Sequence, residues 1–370
     1  MKLLYFVNEL SQKGGIGRIL CDKVNWLATN GYEVEVCLLS NPDQIIVYDL
    51  NPNVRLSFAD LDMRPGNILS RIKLTLKSIR KIKLMIKNAS PDIIVNSNAV
   101  LVTWILPFVF FKVPKVIELH FSKDGLDKID GGNHKNVVAL VHRALRRLFY
   151  SLYDKLVVLS EHDKKAFCLK NCEVINNFTN FGRQDLSDLS SKRIVMVGRL
   201  EREKRVDLMI EVWRLLHKRY QDWNVSVFGD GSERGALEAK VKELGLDSSF
   251  RFYGNVDDVK REYLNSSVFC LTSEYEGFCL VLLEAMSCGL PVVAFDVPGL
   301  CDGFIQDGNN CLAADFGDVK QFADKLSYLL DDAELRLRLR NSALDGICRF
   351  DKSVVMGKWV GLFNGLSREK

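Results

Sequence analysis

One stretch, residues 273–286, limits what this chain can fold into more than any other. It follows the apolar run 268–271, which predicts a buried strand. Gly277 then marks a tight turn, and the apolar residues after it recur at helical spacing. The stretch therefore predicts a strand, a turn and a helix. In an open α/β sheet, a turn of this kind lies at the carboxyl end of the strand, where ligands bind.

Two glutamates flank the turn, with seven residues between them. Glu276 is expected in the loop, and Glu284 about two turns into the helix. The start of a helix offers backbone N–H groups and the positive end of its dipole to a phosphate. One carboxylate can then accept hydrogen bonds from hydroxyls beyond the phosphates, and the other from a sugar on the near side. The pattern predicts a site for a sugar nucleotide.

The stretch and its continuation through Cys288-Gly289-Leu290-Pro291 to residue 294 resemble the donor signature of retaining family-4 glycosyltransferases. The resemblance implies an α/β chain with the GT-B fold, in which two facing Rossmann-like domains hold the nucleotide-sugar site in the cleft between them. It also implies transfer of a hexose or N-acetylhexosamine to an acceptor hydroxyl, with retention at the anomeric carbon. The donor would be a nucleoside diphosphate sugar, with a UDP-sugar favoured.

The chain of 370 residues is long enough for two to three domains. Residues 179–192 are polar and show little periodicity, so they predict a linker, and a second strand-loop-helix pattern starts at Arg193. We therefore predict one domain at 1–185 and another at 186–350, and the resemblance implies that the first binds the acceptor and the second the donor. A terminal helix at 351–370 is expected to return to the first domain.

A second motif starts at Gly198 and contains Arg199 and Lys204, five residues apart in a loop that enters a helix. Arginine can bind phosphate oxygens through two N–H groups at once, and lysine supplies a point charge. In isolation these two residues would be surface charges. The resemblance implies that they neutralise the leaving diphosphate.

The resemblance also assigns the remaining site residues. The predicted donor-binding residues are Gly15, Gly198, Arg199, Lys204, Gly254, Glu276, Gly277, Phe278, Cys279, Leu280 and Glu284. The predicted catalytic residues are Arg199, Lys204, Glu276 and His120. His120 follows a predicted strand, and for it a contact with the transferred sugar and a purely structural role both stay open. Cys279 stands where the family usually has glycine, although its backbone N–H remains available.

Residues 68–87 contain seven basic residues and no acidic one, and their apolar residues form a helical stripe. The stripe consists of Ile68, Ile72, Leu76, Ile79, Ile82 and Ile86. Such a helix either lies on an anionic membrane or packs its stripe inward and exposes its lysines to water, and the two are compatible. The predicted membrane-surface residues are Arg71, Lys73, Lys77, Arg80 and Lys81. A second basic helix face at Arg143, Arg146 and Arg147 is expected to be solvated.

Other features exclude several classes of protein. The ten cysteines lack paired short spacing, and the Asp60-Leu61-Asp62 pattern lies far from the donor motifs, so we predict no metal and no cofactor. A net charge of +4 does not demand a nucleic-acid partner. The longest apolar run, 99–111, is too short to span a bilayer, and no signal peptide is evident. We expect a cytoplasmic protein held peripherally on the cytoplasmic face of the inner membrane.

The predicted acceptor is a glycan or lipid-linked glycan, as in the synthesis of bacterial O-antigen, capsule or lipopolysaccharide, and the basic helix favours a lipid-linked one. A glycogen synthase-like or sucrose synthase-like enzyme with a soluble acceptor is the alternative within the same class. A nucleotide-sugar-binding protein without turnover, or a membrane adaptor acting through residues 68–87, are alternatives outside it. The presence of Arg199, Lys204, Glu276 and Glu284 together argues against a protein that only binds.

Overall fold

The computed structural model describes residues 1–11, 14–40, 45–61, 68–97, 99–129, 137–297 and 300–368, without the side chains of residues 68–75, 129, 301 and 302. The chain divides into two compact units. Unit 1 comprises Met1–Asn176 and Met356–Lys370, and unit 2 comprises Asn177–Val355. Each unit is built on one parallel β-sheet flanked by helices.

The described strands of unit 1 are β1 (Lys2–Val7), β2 (Glu33–Leu38), β3 (Arg55–Phe58), β4 (Ile93–Ser97), β5 (Lys115–Glu118), β6 (Lys155–Val158) and β7 (Cys172–Val174). They pair in parallel in the order β3-β2-β1-β4-β5-β6-β7. The strand order reverses between β1 and β4, as in dinucleotide-binding sheets, so the loops that follow these strands border the crevice where ligands bind in such folds.

The described helices of unit 1 are α1 (Gly15–Thr29), α2 (Ile68–Ala89), α3 (Val100–Ile105), α4 (Lys123–Ile129), α5 (Val137–Ser151) and α6 (Glu161–Phe167). One hydrophobic cluster joins Phe6 of β1 to Ile82 of α2 and Tyr150 of α5, and it also contains residues of α3. These helices therefore cover the same face of the sheet. Tyr5 points to the opposite face because side chains alternate along a strand. Lys23 of α1 lies over the Tyr5 ring, with Nζ 5.6 Å from its centre, so α1 covers that second face.

The strands of unit 2 are β8 (Arg193–Val197), β9 (Asn224–Phe228), β10 (Phe250–Gly254), β11 (Val268–Leu271), β12 (Val292–Asp296) and β13 (Leu312–Asp315). Their order in the described chain is β10-β9-β8-β11-β12-β13, which is the same topology as the first six strands of unit 1. Its helices are α7 (Val206–Leu216), α8 (Arg234–Glu243), α9 (Val259–Leu264), α10 (Leu280–Ser287), α11 (Val319–Asp331) and α12 (Ala333–Ile347). The predicted turn at Gly277 follows β11, next to the reversal point between β8 and β11.

The stretch 179–192, predicted as a linker, is packed into unit 2. The Thr179 N–H donates to the carbonyl of Phe350 at 3.2 Å, and the Ser187 hydroxyl donates to the carbonyl of Ser266 at 2.5 Å. Leu189 is 5% exposed. Because these contacts hold the stretch in place, the chain divides after Asn176 rather than after residue 185.

The chain ends in helix α13 (Lys352–Arg368), close to the predicted range 351–370. From Met356 onward the chain belongs to unit 1, where the Phe363 and Tyr32 rings lie 6.5 Å apart. Helices α11 and α12 are separated by the single residue Asp332. Asp332 has an extended backbone there, and its side chain caps the start of α12 by accepting a hydrogen bond from the Leu335 N–H.

Candidate active site

Two loops of unit 2 meet beside the reversal point of its sheet, one after β8 and the other after β11. The Thr272 hydroxyl donates to the carbonyl of Lys204 at 2.9 Å, and the Glu274 N–H donates to the carbonyl of Glu203 at 2.8 Å. These two hydrogen bonds fix one loop against the other. They bring Lys204 Nζ to 2.7 Å from Glu276 Oε1, so the two predicted residues form an ion pair.

The ion pair is partly accessible, with 21% of the Lys204 side chain and 10% of the Glu276 side chain exposed. Burial alone would lower the pKa of Lys204, but the Glu276 carboxylate outweighs it, and the pKa of Lys204 is raised. Lys204 is therefore charged at neutral pH. An ammonium group has three N–H donors, so Lys204 can hold Glu276 and still donate to another oxygen.

Arg199 lies on the same loop and is far more exposed, at 65% of its side chain. One guanidinium nitrogen lies 2.9 Å from Glu203 Oε1. An exposed pair of this kind contributes about 0–1 kcal/mol, so an anionic ligand can replace Glu203 at little cost. The loop therefore offers one fixed cation at Lys204 and one adaptable cation at Arg199.

Close contacts between glycine-containing loops form the floor beside these cations. A Cβ atom on Gly229, whose φ is +131°, would lie 1.9 Å from the carbonyl oxygen of Gly198. A Cβ on Gly231 would lie 2.5 Å from the carbonyl oxygen of Leu200. The Gly229 N–H donates to the carbonyl of Gly254 at 2.8 Å, which brings in the end of β10. Gly198 and Gly254 were predicted site residues, whereas Gly229 and Gly231 were not. Gly229 directly follows β9, and that position could have signalled such a contact.

The turn into α10 contains the predicted residues Gly277, Phe278, Cys279 and Leu280. The Phe278 ring packs against Phe350 at 5.6 Å between ring centres. Cys279 is 2% exposed, so its thiol is packed into the protein interior. In the described part of the chain no side-chain hydrogen bond caps the start of α10, and its first backbone N–H groups are the donors that the helix presents.

Glu284 lies in the second turn of α10, because the helix begins only at Leu280. It is 1% exposed, and the Tyr263 hydroxyl donates to its Oε2 at 3.4 Å. A carboxylate this deeply buried depends on hydrogen bonds to keep its charge. Sequence reasoning did not identify Tyr263, and no local pattern indicated it.

Gly15 of unit 1 is the first residue of α1. The preceding residue, Gly14, receives a hydrogen bond from the Tyr48 hydroxyl at 2.7 Å. The Tyr48 ring also packs on Gly17, where a Cβ atom would lie 2.7 Å from a ring carbon. The predicted glycine-rich turn is thus shaped by an aromatic ring that the sequence pattern did not reveal.

His120 lies two residues after β5 and is 5% exposed. Its Nε2 is 3.1 Å from the Ser97 hydroxyl and 3.5 Å from Glu118 Oε1. Glu118 in turn pairs with Lys23 of α1 at 2.5 Å. Sequence reasoning identified His120 but not Ser97, Glu118 or Lys23. The signal that could have identified Lys23 and Glu118 was a charged residue in the middle of an apolar segment.

Helix α2 packs on the sheet through Ile82 and Ile86, which are buried. The predicted stripe does not extend to Leu76, which is 55% exposed. Among the predicted membrane-surface residues, Lys77 and Arg80 are exposed and Lys81 is half-buried. The side chains of Arg71 and Lys73 lie outside the described residues. No helix among the described residues is long and apolar enough to cross a membrane.

Helix α5 differs from its prediction. Arg147 is exposed, but Arg146 is buried against Asp127, so the expectation of a fully solvated basic face is wrong there. The exposed side chains of α5 are instead largely apolar. Val141 is 52% exposed, Leu145 43% and Leu148 54%, at a spacing that places them on one helix face.

Two family models together match residues 13–345 of the chain. Residues 13–183 match Glycosyltransferase Family 4, and residues 177–345 match Glycosyl transferases group 1. The first match falls mainly in unit 1 and the second in unit 2. The chain therefore has both halves of a two-domain glycosyltransferase.

Relatives and solved structures agree with the family models. The amylovoran biosynthesis glycosyltransferase AmsD of Erwinia amylovora is 27% identical over 376 residues, which cover 98% of this chain and 99% of that protein. The GalNAc-alpha-(1->4)-GalNAc-alpha-(1->3)-diNAcBac-PP-undecaprenol alpha-1,4-N-acetyl-D-galactosaminyltransferase of Campylobacter jejuni is 25% identical over 369 residues, 98% of each chain. The structure of sucrose-phosphate synthase from Thermosynechococcus elongatus matches all of both chains with a TM-score of 0.84 at 17% identity. The two sheets, the two family models and this likeness establish that the chain has the GT-B fold and belongs to the GT-B glycosyltransferases of the family 4 and group 1 type.

Proposed function

We propose that the chain is a retaining glycosyltransferase that moves a hexose or N-acetylhexosamine from a nucleoside diphosphate sugar, preferably a UDP-sugar, to a glycan or lipid-linked glycan. Its pathway would be bacterial cell-surface polysaccharide synthesis. The observation that carries the proposal is the ion pair of Lys204 and Glu276 at 2.7 Å, where the loops after β8 and β11 meet. The names of AmsD and of the Campylobacter enzyme support the acceptor class, because one acts in amylovoran synthesis and the other on an undecaprenol-linked glycan.

In the proposed reaction, the bond between the anomeric carbon and the diphosphate oxygen breaks, and the acceptor oxygen bonds to the same carbon on the same face. Negative charge builds on the diphosphate, which takes the proton of the acceptor hydroxyl. Lys204 and Arg199 supply positive charge on one loop. The raised pKa of Lys204 keeps it protonated throughout the neutral range. Fixed charges aimed at a developing anion often contribute the largest share of catalysis. Because these two cations serve the leaving group, the proposed reaction needs no metal ion and no cofactor.

Glu276 has a different task in the proposed reaction. As a carboxylate it only accepts hydrogen bonds, which suits the hydroxyls of the transferred sugar. Because Glu276 is paired with Lys204, the residue proposed to bind the sugar and a residue proposed to bind the leaving diphosphate belong to one ion pair. Glu284 would accept hydrogen bonds from the ribose diol. No side chain is assigned as a covalent nucleophile.

The experiment is a panel of UDP-, GDP- and ADP-sugars, offered without added metal, with nucleoside diphosphate release and thermal shift as readouts. We expect one donor to stabilise the protein and to be slowly hydrolysed. The product with a glycan acceptor should keep the anomeric configuration of the donor, as read by NMR coupling constants. Inversion would refute the retaining mechanism, and absence of turnover with every donor and acceptor would favour a protein that only binds nucleotide sugars.

We also propose that the protein associates peripherally with an anionic membrane, at the cytoplasmic face of the inner membrane. The contact surface would be the outer faces of α2 and α5, which cover one face of the sheet of unit 1. Lys77, Arg80 and Lys83 are exposed on α2. The sequences of α2 and α5 contain basic residues and no acidic one, so their charge is complementary to anionic lipid. Exposed Leu145 and Leu148 would enter the headgroup region. A lipid-linked acceptor would then be met at the membrane surface.

Vesicle flotation tests this association. Leu145→Asn/Leu148→Asn should release the protein from vesicles of phosphatidylglycerol and phosphatidylcholine. Leu215→Asn is the matched control, because Leu215 is an exposed leucine, 47% accessible, on α7 of unit 2. Equal binding of all three proteins would contradict the proposed surface. Efficient transfer to a soluble glycan without vesicle binding would favour the alternative of a soluble acceptor.

A further inference from the structure

A buried ion pair lies behind His120 in unit 1. Lys23 Nζ is 2.5 Å from each carboxylate oxygen of Glu118, and the two side chains are 2% and 3% exposed. The Trp359 ring covers the pair, with its centre 4.2 Å from Lys23 Nζ. Buried charges are costly, and a pair held this deeply is weak evidence for a role in stability alone.

The Glu118 carboxylate is ionised in this setting. Burial alone would raise the pKa of Glu118, but the charge of Lys23 and the hydrogen bonds that Lys23 and the His120 Nε2–H group donate outweigh it, so the pKa is lowered. An ionised carboxylate has oxygens that only accept hydrogen bonds. Whatever faces Oε1 at close range must therefore be a donor.

This requirement determines the tautomer of His120. Its Nε2 faces Glu118 Oε1 at 3.5 Å and the Ser97 hydroxyl at 3.1 Å. With the proton on Nε2, the ring donates toward these two oxygens. With the proton on Nδ1 instead, the lone pair of Nε2 would face the carboxylate and be repelled. A ring with its only proton on Nε2 satisfies both oxygens and leaves a lone pair on Nδ1.

Nδ1 of His120 is buried and has no hydrogen-bond partner among the described residues. Buried polar atoms of this kind are rare in native proteins, and each requires an explanation. A bound hydroxyl group would supply the missing donor. Sugars are rich in such groups, and this step rests on the proposed function.

We propose that Glu118, paired with Lys23, is a positioning residue that holds His120 as the Nε2–H tautomer, so that Nδ1 accepts a hydrogen bond from a hydroxyl of the bound sugar substrate. Lys23 acts on His120 only indirectly, because it keeps Glu118 charged and in place. In this role Nδ1 of His120 accepts a hydrogen bond from the hydroxyl group and does not donate one to it.

The test compares two double variants that both remove the ion pair and leave no buried charge behind. Lys23→Met/Glu118→Gln keeps a carbonyl oxygen that can face Nε2, whereas Lys23→Met/Glu118→Leu keeps none. The matched control is Lys155→Met/Glu173→Leu, which removes another lysine–glutamate pair of unit 1, between β6 and β7. The probe is long-range ¹H–¹⁵N NMR of histidine-labelled protein, which distinguishes the tautomers. His120→Phe assigns the signal among the five histidines.

We expect the Nε2–H form in the wild type, the Gln variant and the control, and a mixture of tautomers in the Leu variant. Turnover with the best donor should fall about tenfold more in the Leu variant than in the Gln variant, mainly in kcat. An Nδ1–H signal in the wild type, or identical tautomers in the Gln and Leu variants, would overturn the positioning role. A lost tautomer with unchanged kcat would overturn the contact with sugar.

The two proposals fail in distinguishable ways. If the wild type turns over no donor, the proposed function fails. The tautomers of the Gln and Leu variants still decide whether Glu118 orients His120.

Discussion

Each unit holds one lysine–glutamate pair beside predicted site residues, and the two pairs differ in burial. In unit 2, the side chain of Lys204 is 21% exposed and that of Glu276 is 10% exposed. In unit 1, the side chains of Lys23 and Glu118 are only 2% and 3% exposed. The chemical groups are the same, but water reaches one pair and not the other.

The pKa directions follow this difference. Burial dominates at Lys23 and lowers its pKa even though Glu118 opposes the change. At Lys204, burial is outweighed by Glu276, and the pKa is raised. A pair that water reaches can exchange partners with a ligand, whereas a fully enclosed pair cannot. The comparison teaches that the pair in unit 2 is suited to binding a charged substrate and the pair in unit 1 to holding a neighbour in place.

The largest expected effect, on the free energy of unfolding, comes from replacing only the lysine of each pair. Lys23→Met leaves the Glu118 charge buried without its cation, and we expect a loss of about 3–5 kcal/mol in unfolding free energy. Lys204→Met should cost about 1 kcal/mol, because its partner retains some solvent. Urea denaturation followed by tryptophan fluorescence measures both. Similar losses would show that burial does not separate the two pairs.

The next effect concerns turnover and tests the comparison at the residues of unit 2. Lys204→Ala and Arg199→Ala should each reduce kcat on the order of 10²-fold, because in the proposed reaction each removes a charge partner of the leaving diphosphate. Glu284→Ala should mainly raise the KM for the donor. Lys192→Ala serves as the control, since Lys192 pairs with Asp222 at 3.6 Å on the surface of unit 2. Full turnover by Arg199→Ala would refute the leaving-group assignment.

A smaller effect is expected in acid and concerns only the enclosed pair. The pKa of Glu118 is depressed below its ordinary value of 4.5, so the contribution of this carboxylate to stability is complete above that value. It is lost as the pH falls from about 4.5 through the lower folded pKa. Unfolding free energy between about pH 6 and pH 3 should fall more steeply for the wild type than for Lys23→Met/Glu118→Leu, by roughly 1.4 kcal/mol or more. Parallel curves would mean that Glu118 is not ionised in the folded protein.

The smallest effect extends the comparison to charges on the surface. Each of the single substitutions Lys77→Gln, Arg80→Gln and Lys81→Gln should weaken binding to anionic vesicles by about 1 kcal/mol, with little change in stability. Raising the salt concentration should reproduce the effect in the wild type. Vesicle binding that is unaffected by either change would leave these residues as an ordinary solvated helix face.

The elements around the donor motifs could be predicted because strand-loop-helix patterns are local. Gly277 marks the turn before α10, and the apolar run 268–271 marks β11. The place of residues 179–192 could not be predicted, because polar composition says nothing of the long-range hydrogen bond between Thr179 and Phe350. The burial of Arg146 was missed for the same reason, since its partner Asp127 lies on another helix.

The site residues divide in the same way. Lys204 and Glu276 could be named from their motifs, and the structure brings them into contact. Lys23 and Glu118 could not be named, because a lysine in α1 and a glutamate in β5 gave no sign that they would meet. Recognition of a motif identifies residues that touch a ligand more readily than residues that act through another side chain.

The return of α13 to unit 1 has a consequence for the order of events during synthesis. Unit 1 is encoded by both ends of the chain, with unit 2 inserted before Met356. Trp359, which covers Lys23, leaves the ribosome only after all of unit 2 has been translated. The newly synthesised sheet of unit 1 therefore has its lysine–glutamate pair uncovered until all of unit 2 has emerged. A chain that ends before residue 359 would lack the ring that covers Lys23, so a truncated translation product would have an incomplete unit 1.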